Sequence, residues 1–282
     1  MRMPRLLPTV SAASAILLIA AAPVSAAPPA GAHMTYDVYV GGLRMLEVES
    51  GVTLGADRYE VDLSAHVVGI AATFSDWRSN VRSSGALDGP RVRPATNVVE
   101  RINGDDARTT TITFLGGGRM DVEIVPSKKP KREQTIPPER LVHAVDPLSG
   151  VVSILQALHV GAPACAGQVP IFDGRRLYRA ELTDGGTVTL ERAEQALYGG
   201  EAQHCTLALT PMVGDFNFGD EKRSARPTEY LQSTARAPGQ RVIETWLASP
   251  GAGLPAVPVR IQSESPWGRV VVHLRSIQTG AT

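Results

Sequence analysis

From Met34 onwards apolar and polar side chains alternate with a period of two, and Gly, Asp and Asn mark the breaks. That is the pattern of half-buried strands. In RYEVDLSAHVV, Tyr59, Val61, Leu63 and Ala65 alternate with Glu60, Asp62, Ser64 and His66, so one face is set for burial and the other for water. MTYDVYV and LRMLEVESGVTL flank the turn Gly41-Gly42, and further strands are predicted at FSDWRSNVRSSG, VRPATNVVERIN, ARTTTITFL and RMDVEIV, with NGDD and LGGG as turns. Long strands joined by short turns form a meander, and one this long must curl to bury its apolar face.

The period changes once. After a proline-rich connection over 126–140, HAVDPLSGVVSILQALHVG places Leu148, Val151, Val152, Leu155 and Leu158 at helical spacing. Asp146 suits the N-cap and Pro147 the first helical position, while Gly161 and Pro163 end the helix. The second half returns to strands. QVPIF, Asp173-Gly174 and RRLYRAEL predict a hairpin with a two-residue type I′ turn. TVTLERAEQAL and HCTLALTPM follow, then RVIETWL, LPAVPVRIQSE and WGRVVVHLRSI, with a last turn over Ser265-Pro266-Trp267-Gly268. Residues 214–232 read as a long loop. The fold class is therefore mostly β: a curved antiparallel sheet, half-barrel or open barrel, with one amphipathic helix against its concave face.

The N-terminus changes the compartment. Arg2 and Arg5 precede an apolar stretch that stops at Pro23, and Val24-Ser25-Ala26 is a small-residue exit, which predicts a signal peptide cleaved after Ala26. The alternative, a membrane anchor, needs roughly 20 uninterrupted apolar residues, whereas Ser11 and Ser14 interrupt this run. Cleavage leaves 27–282 as one β-rich domain, exported to the periplasm and not membrane-spanning. The chain carries 28 Lys+Arg against 28 Asp+Glu; without Arg2 and Arg5 that is 26 against 28, a net charge of minus two, with no general attraction for nucleic acid. The one basic cluster, Lys128, Lys129, Lys131 and Arg132, is interleaved with proline and reads as a solvated loop, its alternative being contact with anionic headgroups.

Little in the sequence carries chemistry. Cys165 and Cys205 are the two cysteines of an exported chain, which favours a disulfide over a redox pair, since no C-x-x-C spacing exists. His33, His66, His143, His159, His204 and His273 lack metal-ligand spacing, so no metal and no cofactor is expected. His204 could activate Cys205, or could simply be exposed. Asp105, Asp106, Asp215, Asp220 and Glu221 invite a glycosidase reading, but each sits in a turn or loop rich in Gly or Asn, where Asp serves the backbone, so no catalytic residues are assigned. Trp77, Phe216, Phe218, Trp246 and Trp267 are candidate contacts for sugar or lipid, although Trp246 and Trp267 are expected to fill core. Arg176 should share a strand face with Tyr178, Ala180 and Leu182 and so should find a carboxylate or backbone carbonyls, as a structural ion pair near the strand end or, in the alternative, in a ligand-binding role.

MTYDVYVGGLRMLEVES, DPLSGVVSILQAL, CAGQVPIFDGRRLYRAEL and the late LPAVPVRIQSES with GRVVVHL, in that order, resemble a family of bacterial envelope proteins, domain of unknown function 3108. Its most specific part is Asp146-Pro147-Leu148-Ser149 followed by Phe172-Asp173-Gly174-Arg175-Arg176; the tail departs by an inserted-looking Ala256-Val257-Pro258. The resemblance implies an exported curved sheet broadly similar in architecture to periplasmic lipoprotein carriers, and it transfers no catalytic residue. The expectation is a non-enzymatic protein that binds an apolar or amphipathic envelope component, a lipid or lipid-linked group, in the concavity. Leu148, Val152, Leu155, Tyr178, Leu182 and Trp246 would line the site, with Asp173, Gly174, Arg175 and Arg176 as turn and ion-pairing residues. The alternative is an assembly module that meets a lipoprotein or another envelope protein without a small ligand.

Overall fold

The computed structural model describes residues 30–126, 136–213 and 240–280. The segment predicted to be a leader, the basic cluster at 128–132 and the segment 214–232 expected to be a loop lie outside the described residues. The first meander comprises β1 (Ala30–Val40), β2 (Leu43–Leu54), β3 (Arg58–Val67), β4 (Arg78–Asp88), β5 (Arg91–Asn103), β6 (Asp106–Gly116) and β7 (Arg119–Val125). The second comprises β8 (Gly167–Phe172), β9 (Leu177–Leu190), β10 (Gly200–Val213), β11 (Arg241–Ala248), β12 (Val257–Ser265) and β13 (Gly268–Thr279). Among the described residues, pairing of β1 with β13 joins them into one antiparallel sheet of 13 strands, ordered β7-β6-β5-β4-β3-β2-β1-β13-β12-β11-β10-β9-β8.

The two edge strands, β7 and β8, are consecutive in sequence, and the chain linking them holds a single turn, α1 (Pro138–Leu141), and the helix α2 (Pro147–His159). A link between the edges of a curled sheet has to cross the gap. α2 accordingly packs on β3, β4 and β5 at one side and on β8 at the other. The sheet does not close into a barrel; Val145 adds a parallel bridge to the free side of β8, with Val145 N donating to Pro170 O at 3.0 Å and Phe172 N to Val145 O at 2.8 Å. The bridge covers the Pro170–Phe172 end of this edge and opposes strand addition by another chain there.

The period-two reading of β3 is met: Tyr59, Val61 and Ala65 are buried while Glu60, Asp62 and His66 are exposed. The buried face continues into a cluster containing Met34, Tyr36, Val52, Leu87, Val257, Val259 and Leu274, closed from above by Val152 and Leu155 of α2.

Several local expectations change. FSDWRSNVRSSG starts its strand only at Arg78, because Gly69–Thr73 forms a 3-10 turn and leaves Phe74 86% exposed. Thr183-Asp184-Gly185-Gly186 is no break: it lies within the continuous strand β9, whose register against β10 shifts between Gln203 and Cys205. The β8–β9 hairpin closes over four residues, 173–176, not two; its pairing starts at Phe172 and Leu177, so Arg175 and Arg176 belong to the turn and Arg176 shares no strand face with Tyr178. Trp267, expected in the core, stands 70% exposed. The extra-looking Ala256-Val257-Pro258 is accommodated by a register shift between Trp246 and Leu247.

Candidate functional site at the seam of the half-barrel

Where the edges approach, a buried apolar plug holds them: Ile112 of β6, Ile136, Leu141 and Ala144 of the link, and Phe172 and Leu177 beside the β8–β9 turn. Gly118, at φ +78°, seats α1 on this seam; a Cβ there would lie 2.3 Å from Pro138 O, closer than any side chain tolerates, so only glycine fits.

To one side of the plug the seam opens into a cleft of about 800 Å³. Val92, Phe114, Met120, Leu141, Val145 and Val169 give it an apolar interior, and Arg91, Arg93, Arg119 and His143 stand exposed around it. Arg93 is held by Asp88 at 2.6 Å. His143 adopts φ 67°, the left-handed region that His visits more readily than most residues, and this turns the link from α1 toward the Val145 bridge. Apolar depth with a cationic mouth is the chemistry of a site for an amphipathic molecule with an anionic end.

The helix that walls the cleft is pinned by a buried polar network. Asp146 is fully buried; its Oδ1 accepts from Leu148 N (3.1 Å), Ser149 N (3.0 Å), Ser83 Oγ (2.7 Å) and Asn97 Nδ2 (3.3 Å), and its Oδ2 from Ser149 Oγ. Asn97 Nδ2 also donates to Ser83 Oγ at 2.8 Å, and Tyr59 Oη shares a hydrogen bond with Ser149 Oγ at 2.6 Å. The N-cap is thus also the joint between α2 and β3, β4 and β5. Burial is the main cause that pushes the Tyr59 and Tyr178 phenols well above their ordinary range.

The six side chains expected to line a ligand site fall elsewhere: none lines the 800 Å³ cleft. Val152 is 0% exposed and Leu155 and Tyr178 are buried, while Leu148, Leu182 and Trp246 are half-buried. α2 therefore fills the concavity beneath it. Leu155 also borders a pocket of about 110 Å³ with Met34, Val52 and Leu158. Trp246 stacks on His204 at 4.9 Å and carries Arg260 over its ring at 5.1 Å.

Cys165 and Cys205 form a disulfide, with Cα atoms 5.3 Å apart, packed against Leu247 and Leu158. It ties the chain just past α2 to β10. Asp173 Oδ1 accepts from the backbone N–H of Arg175 (3.0 Å) and Arg176 (2.7 Å), so this carboxylate shapes the turn, and its ion pair with Arg176 is long at 4.0 Å. Among the described residues no three His, Cys, Asp or Glu side chains converge on a metal site.

The cleft residues come from β5, the β6–β7 turn, the link and β8. No local motif joined them. The nearest sequence signal was the LGGG turn between Phe114 and Met120.

These features define a class: an open antiparallel half-barrel, its concavity stoppered by one helix and its edges drawn together beside an amphipathic cleft. The chain belongs to the family described as Protein of unknown function (DUF3108), whose model matches residues 35–275. A solved structure, the beta-barrel-like protein of domain of unknown function DUF1849 from Brucella abortus, is similar at 11% identity and a TM-score of 0.48, over 91% of this chain and 100% of that one. No curated protein matches.

Proposed function

We propose that this protein, exported to the periplasm after cleavage behind Ala26, binds an amphipathic envelope molecule and catalyses no reaction. The observation that carries the reading is the cleft of about 800 Å³: it holds the apolar part against Phe114, Met120 and Val169 and leaves an anionic end to Arg91 and Arg119. The predicted leader and the disulfide support export. The test is mass spectrometry of organic extracts from mature protein purified out of a periplasm, beside a matched control. The expected result is a stoichiometric lipid that is lost on Gln168→Trp, which places a bulky ring in the cleft. Folded, disulfide-bonded protein that carries no such molecule refutes the reading.

A second reading, an envelope assembly module, is favoured by one rim of the sheet. Leu43, Ile70, Phe74 and Trp267 are 59, 61, 86 and 70% exposed. They come from connections at the same end of the sheet: a Cβ on Gly41 in the β1–β2 turn would lie 3.1 Å from Trp267 O in the β12–β13 turn, and Val68 N at the end of β3 donates to Met45 O at 2.9 Å. A photo-crosslinking residue at Trp267 should capture one partner protein in intact cells, and no specific adduct there refutes this reading.

A further inference from the structure

We propose that Arg101, Arg108, Arg175 and Arg176 form a binding site for a phosphate group. It lies along the seam on the other side of the apolar plug from the cleft and is independent of what the cleft holds. Arg101 of β5 and Arg108 of β6 are direct cross-strand partners, a placement in which like charges repel. The β8–β9 turn adds two more cations, because Gly174 packs against Thr110 and Ile112 of β6. With Val99, Thr110 and Asp173, the four arginines line a pocket of about 100 Å³, room for one tetrahedral oxyanion.

Four guanidinium groups against one carboxylate leave a local excess of three positive charges. Asp173 does little to offset it, since its Oδ1 is committed to the two turn amides and its Oδ2 is 4.0 Å from Arg176 Nη1. Among the described residues no carboxylate pairs with Arg101, Arg108 or Arg175 within 4.0 Å. Asp105 stands in the β5–β6 turn and Asp106 is the first residue of β6, paired with Asn103 on the Arg108 face; neither lines the pocket. The crowding extends to Arg241, held below its ordinary value first by burial and then by Arg176. Planar guanidinium forks match the paired oxygens of a phosphate, and a dianion relieves more of the mutual repulsion than a carboxylate does.

The test is calorimetric titration of the mature protein with inorganic phosphate, at an ionic strength held constant with sodium chloride. Saturable binding is expected, at least tenfold weaker in the Arg101→Gln/Arg108→Gln variant and in Arg175→Gln. In chloride alone Arg108→Gln should melt at or above the wild-type temperature, because a repulsive pair has been removed; a merely structural arginine would lower it. Flotation with phosphatidic acid and phosphatidylcholine vesicles separates the sources. Retention on phosphatidic acid alone, lost in the double variant, identifies a lipid headgroup, and phosphate binding without retention identifies a soluble phosphate. Equal affinity in wild type and variants, or neither phosphate binding nor vesicle retention, overturns the site. Gln168→Trp should leave phosphate affinity unchanged, so this site and the cleft fail separately.

Discussion

Replacing Asp146 by Ala removes the one acceptor on which α2, β4 and β5 converge. Its side chain is fully buried and accepts from two backbone amides, two serine hydroxyls and the Asn97 amide. Loss of an N-cap costs about 1 kcal/mol. Each buried donor left without its acceptor costs about 1–3 kcal/mol; Ser83 and Ser149 lose theirs, while Asn97 keeps Ser83 at 2.8 Å. The total is roughly 4 kcal/mol, or about 8–16 °C in Tm at about 2–4 °C per kcal/mol for a chain of this size. Asp146→Asn keeps an acceptor for the cap, and the hydroxyls of Ser149 and Tyr59 can reverse direction, so it should cost only about 1–2 kcal/mol, the added strength of a charged acceptor. Thermal melts of the oxidised protein followed by circular dichroism separate the two variants. An alanine variant within about 3 °C of wild type, or an asparagine variant as damaged as the alanine one, would show that the network does not pin the helix.

Reduction, or Cys165→Ser with Cys205→Ser, opens a link spanning 40 residues and should cost about 4 kcal/mol on the chain-entropy account, read as a shift in the urea midpoint. His273 is held below its ordinary value by burial first, then by Arg260, against the opposing pull of Asp37. The unfolded chain therefore takes up its proton at higher pH than the folded one, so stability is full above about pH 6.5 and declines as pH falls through that value. His273→Gln should flatten the fall in Tm between about pH 6.5 and 5 relative to wild type, and an unchanged slope would refute the assignment. Gly85→Ala should destabilise by about 1–3 kcal/mol through overpacking, because the added Cβ meets Arg93 O at 2.2 Å and Tyr59 Cε1 at 2.7 Å; a neutral effect in chemical denaturation would contradict that packing.

The sequence by itself determined the elements and their chemistry of burial. Period-two alternation marked the strand bearing Tyr59, Val61 and Ala65, and Asp146-Pro147 marked the start of α2, because strand faces and caps are decided within a few residues. The pairing of Cys165 with Cys205 was legible for a simpler reason: the chain has no other cysteines. What the sequence left open depends on contacts between distant segments. Whether Thr183–Gly186 breaks a strand or bulges within one is decided by β10 alongside it. The second role of Asp146 needs Ser83 and Asn97, which alternation alone records only as polar residues on strand faces that also carry Ser79 and Arg101. Helix residues such as Val152 read equally as ligand lining or as filling until the sheet closes on them. The cleft and the arginine pocket exist because the sheet curls far enough for β5 and β6 to meet the β8–β9 turn and the link. That approach is set by the summed twist of 13 strands and by a helix spanning the gap, and no single stretch of sequence encodes it.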